Sequence, residues 1–124
     1  MEKLLYIGIG GFIGAVFRYQ LSGLVHQYIG THFPSGTLVV NITGCFLLGF
    51  LLTIVEGKFI VSPQLRLLLA VGLLGAFTTF STFSFETLSL LQDKLYLKAL
   101  INILLSVFLG LVAVWIGIIT ARLL

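Results

Sequence analysis

The chain has 124 residues, of which 59% are hydrophobic and 9% charged. So little charge cannot keep a small soluble domain dispersed, so the composition points to lipid as the solvent and leaves no room for a soluble catalytic module. The net charge of +3 is the balance of seven basic residues, scattered singly along the chain, against four acidic ones, and without a basic patch it argues against a nucleic-acid partner.

A hydrocarbon core of about 30 Å takes roughly 20 apolar residues per spanning helix. Residues 1–124 therefore hold a single transmembrane domain of four helices, expected at about 4–25, 37–55, 64–91 and 99–121. The fold class expected is an all-α membrane protein with short connections.

The first span, Leu4 to Val25, is rich in glycine. Its run from Gly8 to Gly14 has a superficial likeness to a dinucleotide-binding turn. Ile13 stands where that fingerprint needs glycine, however, and no strand precedes it. The spacing Gly10-x-x-x-Gly14 instead lets two membrane helices approach closely. The stretch is long, carries Arg18 and lacks a small-x-small cleavage pattern, so it reads as a retained span and not a signal peptide. A linker from His26 to Gly36 follows and ends in the turn-like Pro34-Ser35-Gly36. His26 and His32 lie in it and read as ordinary interfacial residues.

The second span, Thr37 to Val55, contains Asn41, Gly44, Gly49 and the chain's lone cysteine, Cys45. One cysteine makes neither an internal disulfide nor a metal site and reads as a small packed residue. In the loop that follows, Ser62 and Pro63 are placed to start the next helix.

The third span, Gln64 to Leu91, is longer than a straight crossing needs. Glycine, threonine and serine crowd its middle, from Gly72 through Gly75, Thr78, Thr79, Ser81 and Thr82 to Ser84. Hydroxyls compete for helix carbonyls and glycine weakens the helix, so a break is expected near the midplane. Irregular backbone at that depth is tolerated only against protein or a wet cavity, and a broken helix there is a recurrent way to build an ion site. A charged connector, Gln92 to Lys98, leads to the fourth span, Ala99 to Ala121, which ends at Arg122.

Four spans put both termini on one face. That face collects Lys3, Lys58, Arg66 and Arg122, against Lys94, Lys98 and Arg18 on the other, with Arg18 taken as near the end of span one. Four against three is too even for the positive-inside rule to choose an orientation, so insertion both ways and pairing as an antiparallel homodimer are expected.

Glu2, Glu56, Glu86 and Asp93 all fall at or near span ends, which disfavours a mechanism that needs a titratable carboxylate at the midplane. The polar groups left inside the spans are neutral donors: Asn41, Thr78, Thr79, Ser81, Thr82, Ser84, Asn102 and Ser106. Donors without fixed negative charge suit an anion. Phe80 and Phe83, three apart, share a helix face among these hydroxyls, and an aromatic ring presents a positive edge to a small anion. No nucleophile–base pair or ligand set is present, so an enzyme is not expected. Tyr96 and Trp115 carry no role beyond packing or the membrane interface.

Gly75-Ala-Phe-Thr-Thr-Phe-Ser-Thr-Phe83 resembles the G-G-x-T-T-F-S-T-F signature of CrcB/Fluc fluoride channels, with Ala76 in place of the usual glycine. Gly14-Ala-x-x-Arg-Tyr19 and Gly36-Thr-Leu-x-x-Asn-x-x-Gly44 resemble that family's first- and second-helix motifs, so the resemblance covers the whole chain. It implies an antiparallel, dual-topology homodimer in the bacterial plasma (inner) membrane with two fluoride pores at the subunit interface. Phe80 and Phe83 would line the pore, Asn41 would contribute an amide donor, and Ser81 and Thr82 would present hydroxyls. Backbone carbonyls of Gly75 and Thr78 from both subunits would hold a structural sodium ion. Arg18 would sit at the aqueous vestibule, and Asn102 and Ser106 would form a polar track on the fourth helix.

Two other readings share part of this pattern. A small dual-topology multidrug exporter would have the same size and span number, but it wants a glutamate in the first span, and none lies between Leu4 and Val25. A non-transporting membrane accessory subunit would explain the glycine packing but not the Thr/Ser/Phe cluster.

Overall fold

The computed structural model describes residues 1–57 and 60–124 of the chain; Lys58, which entered the charge comparison, lies outside them. The apolar runs become helices α1 (Glu2–Ile29), α2 (Ser35–Gly57), α3 (Pro63–Arg66), a π-helical stretch (Leu67–Leu74), α4 (Gly75–Phe77), α5 (Phe80–Gln92) and α6 (Tyr96–Leu123). The segments from Pro63 to Gln92 make up one span, so among the described residues four helical units are long and apolar enough to cross a membrane.

The ends of these helices follow local chemistry. Ser62 accepts the N–H of Leu65 at 3.2 Å and Pro63 occupies the first turn, the start expected of the third span. The first span runs past Val25 because nothing there stops it. It closes at Gly30, whose φ of 92° favours glycine and whose N–H returns to the His26 carbonyl at 2.8 Å. His26 is therefore helical and not part of a loop. Its Nε2 accepts the Gly36 N–H at 3.3 Å and so caps the start of α2. In the connector after α5, the N–H groups of Lys94 and Leu95 return to the carbonyls of Leu91 and Leu90, with Lys94 at φ 59°.

This longer α1 corrects the placement of Arg18. It lies eleven residues before Ile29, about 16 Å along the axis, and is not near the helix end. Arg18 therefore belongs to neither face, and among the described residues the comparison becomes three (Lys3, Arg66, Arg122) against two (Lys94, Lys98).

Backbones meet where glycines allow. α1 packs along the π-helical stretch, and α2 along α6. A β-carbon at Gly10 would collide with the Leu68 carbonyl, and one at Gly14 with the Leu73 carbonyl. The Gly10–Gly14 spacing thus brings α1 onto the third span just where that helix widens to π turns. Burial inside the single chain is sparse, and Phe12, Leu104, Phe108, Leu111 and Trp115 all point outward. In lipid that exposure is the normal state of a spanning helix, since hydrocarbon replaces the core a soluble protein would need.

Candidate functional site

The third span is broken at two residues. Thr78 (φ −81°, ψ 154°) and Thr79 (φ −149°, ψ 114°) are extended, with α4 ending at Phe77 and α5 starting at Phe80. The break falls near the middle of the 30-residue span, where the hydroxyl cluster predicted it. No residue from Gly75 to Thr79 has a positive φ, so alanine at position 76 fits without strain.

Backbone groups freed at this depth must find partners. Asn41 of α2 supplies two of them: its Nδ2 donates to the Thr79 carbonyl at 3.0 Å, and its Oδ1 accepts the Thr79 N–H at 2.8 Å. Gly44, one turn further along α2, leaves space for the Thr78 side chain; a β-carbon there would collide with its methyl group. Thr79 then caps α5, with its hydroxyl accepting the Thr82 N–H at 3.2 Å. The same hydroxyl gives its single proton to Thr82 Oγ1 at 3.0 Å and lies 3.2 Å from Ser81 Oγ, so Ser81 is the donor to Thr79. Thr82 keeps its own hydroxyl proton free.

Two of these bonds leave carbonyls open. In an unbroken helix the Thr79 N–H would go to Gly75 and the Thr82 N–H to Thr78. Here they go to Asn41 and to the Thr79 hydroxyl, so the carbonyls of Gly75 and Thr78 lose those donors. Carbonyl oxygens released in this way suit a hard cation such as sodium.

Two cavities flank the break, and Thr79 lines both. One, of about 290 Å³, gathers Asn41, Thr78, Phe80, Phe83 and Ser106. The Phe80 and Phe83 rings lie 5.6 Å apart at 46°, one face of α5 as their spacing predicted. The other, of about 370 Å³, gathers Arg18, Tyr19, Ser22, Thr37 and Thr82. Arg18 thus reaches the hydroxyl end of the break from the first helix. Phe80 is 79% exposed and points away from its own chain.

Asn102 is not brought into these cavities. It is 1% exposed, and its Nδ2 donates to Thr87 Oγ1 at 2.9 Å. Of the two fourth-helix residues expected on a polar track, only Ser106 meets the aromatic pair. Sequence reasoning also passed over Thr37, whose hydroxyl donates to Glu86 Oε1 at 2.8 Å and ties α2 to the middle of α5. The available signal was its spacing: Thr37 stands four residues before Asn41, so two polar side chains share one face of an otherwise apolar helix.

The comparisons with known proteins agree along almost the whole chain. Residues 5–118 match the family described as CrcB-like protein, Camphor Resistance. A protein named fluoride-specific ion channel FluC from Geobacter sp. (strain M21) is 49% identical over 122 residues, covering 98% of each chain. Proteins of the same name from Shewanella amazonensis and Flavobacterium psychrophilum are 51% identical over 117 residues and 45% identical over 122 residues, covering 94% and 98% of each chain respectively.

Proposed function

This chain belongs to the CrcB-like family, and from that premise we infer that it is a fluoride-specific ion channel, a multi-pass protein of the bacterial membrane and not an enzyme. Its relatives carry that name at about half identity over nearly full length. The observation within the chain that carries the reading is the break at Thr78–Thr79. There the Asn41 amide, the Ser106 hydroxyl and two aromatic rings line one cavity, with no carboxylate among its residues.

Fluoride is small and tightly hydrated, so a pore must replace its water with donors. The second Nδ2 proton of Asn41 and the positive ring edges of Phe80 and Phe83 supply them in one cavity, and the hydroxyl proton of Thr82 supplies one in the cavity on the other side of the break. Ser81 acts from behind, holding Thr79 in place. Ser106 adds a hydroxyl from α6. The donors in the Phe80–Phe83 cavity are neutral, so no full charge there traps the ion. Arg18, which lines the cavity on the Thr82 side of the break, attracts the anion from within the span and not from its mouth. Transport is passive, and it drains from the cytoplasm fluoride that entered as the neutral acid.

The pore forms between two antiparallel copies of the chain. The exposure of Phe80 supports this, since a pore-lining ring that is 79% exposed in its own chain needs a second wall from another copy. The carbonyls of Gly75 and Thr78 from both copies would hold a structural sodium ion, whose charge would offset the carbonyl dipoles left open by the break. Support comes from the loss of their helical donors and from the exposure of Gly75.

The test is fluoride efflux from liposomes reconstituted with the pure protein, read with a fluoride electrode, with chloride efflux as the control. Fast fluoride release without chloride release is expected. No release of either ion from folded protein would overturn the channel reading.

A further inference from the structure

We propose that Asn102 is a positioning residue for Phe83, acting through Thr87, and not a direct anion contact. The inference rests on the channel reading above and specifies how the pore aromatic is held. Asn102 is 1% exposed and Thr87 is 7% exposed, so neither side chain reaches a cavity of useful size. The Asn102 amide donates to Thr87 Oγ1 at 2.9 Å. Thr87 has one hydroxyl proton, and it goes to the carbonyl of Phe83 at 2.7 Å. The relay therefore has a direction: amide of α6, hydroxyl of α5, backbone of the aromatic residue.

The position of the relay matters because α5 is a separate helix of only 13 residues once the span is broken. Its head is fixed by Asn41 at Thr79, and its middle is tied to α2 by Thr37 at Glu86. Both bonds come from the α2 side. The Asn102–Thr87 bond comes from α6, on another side of the helix. Phe83 and Thr87, four residues apart, lie on one stripe of α5. Fixing Thr87 against α6 therefore sets the rotation of α5 about its own axis and with it the direction of the Phe83 ring. Burial favours this arrangement, because a hydrogen bond between groups with no access to water persists where a wet one would exchange.

The test measures fluoride efflux per folded channel for the parent, Asn102→Leu, Thr87→Val and the double variant, with Thr87→Ser as the hydroxyl-retaining control. If the pair acts as one unit, each single change slows flux about tenfold and the double variant is no slower than the slower single. Thr87→Ser restores most of the Thr87→Val loss. Multiplying losses, about a hundredfold in the double variant, would mean that Asn102 acts on the ion independently and would overturn the proposal. So would parental flux in Asn102→Leu. A second readout does not depend on conduction: the ¹⁹F resonance of 4-fluorophenylalanine placed at position 83. It should shift alike in Asn102→Leu and Thr87→Val and hold in Thr87→Ser; an unmoved resonance in the first two overturns the relay. A parent that conducts no fluoride overturns the channel reading, and the ¹⁹F shift then decides the relay alone.

Discussion

Asn41 and Thr79, 38 residues apart in sequence, hold one another by two reciprocal hydrogen bonds. The side-chain amide donates to the carbonyl at 3.0 Å, and the side-chain oxygen accepts the N–H at 2.8 Å. The backbone N–H and carbonyl of a residue that has left its helix are satisfied here by a side-chain amide, which is itself a peptide-like group. Replacing Asn41 with Leu leaves the backbone N–H and carbonyl of buried Thr79 without these partners, at a cost of about 3 kcal/mol. Thermal unfolding in detergent should show a clear drop in midpoint. An unchanged midpoint would mean that the break is satisfied in some other way.

The aromatic pair predicts a different phenotype. Phe80 is largely exposed and Phe83 half-buried, so neither anchors the fold. Phe80→Ile and Phe83→Ile should each slow fluoride efflux greatly while the protein elutes from a sizing column as the parent does. Isoleucine keeps the apolar wall but offers no positive edge. Normal flux from both variants would refute the aromatic role.

Two glycines of α1 make a matched pair for testing helix packing. Gly14→Ala drives a β-carbon into the Leu73 backbone, which cannot rotate away, and should destabilise the protein by about 1–3 kcal/mol. Gly8→Ala meets nothing and should be neutral or stabilising by about 0.5–1 kcal/mol, as alanine is the better helix former. Equal melting temperatures for the two variants would count against the close contact of α1 with the third span.

Orientation can be read in cells. A single cysteine introduced near either terminus of a Cys45→Ser background should be labelled by a membrane-impermeant maleimide to about half its total, since antiparallel pairs present each terminus on both sides. Labelling that is complete or absent would assign one orientation and exclude the antiparallel pair.

The spans were legible because lipid imposes a minimum apolar length that leaves little choice in so short a chain. The break was legible because glycine and hydroxyl residues are concentrated in the middle of the third span. The end of α1 was not. His26 and Gln27 look like a polar linker, yet the helix continues until Gly30 supplies a left-handed stop. The π-helical stretch left no mark in its run of leucines, since its position follows contact with α1 and not local preference. The direction of Asn102 was equally hidden. Its four-residue spacing from Ser106 put the two on one face, but the near-total burial of Asn102 depends on where Thr87 stands on another helix.

Because the span is interrupted, a second helix begins at Phe80 in the middle of the bilayer, and its aligned peptide dipoles place about half a positive charge there. That charge belongs to peptide geometry. It has no proton to lose and no counterion to carry. A lysine at the same depth would shed its proton under desolvation or bind an anion too firmly to release it. The helix dipole's own contribution to that attraction of an arriving anion therefore does not titrate, and it vanishes only if the first turn of α5 unwinds.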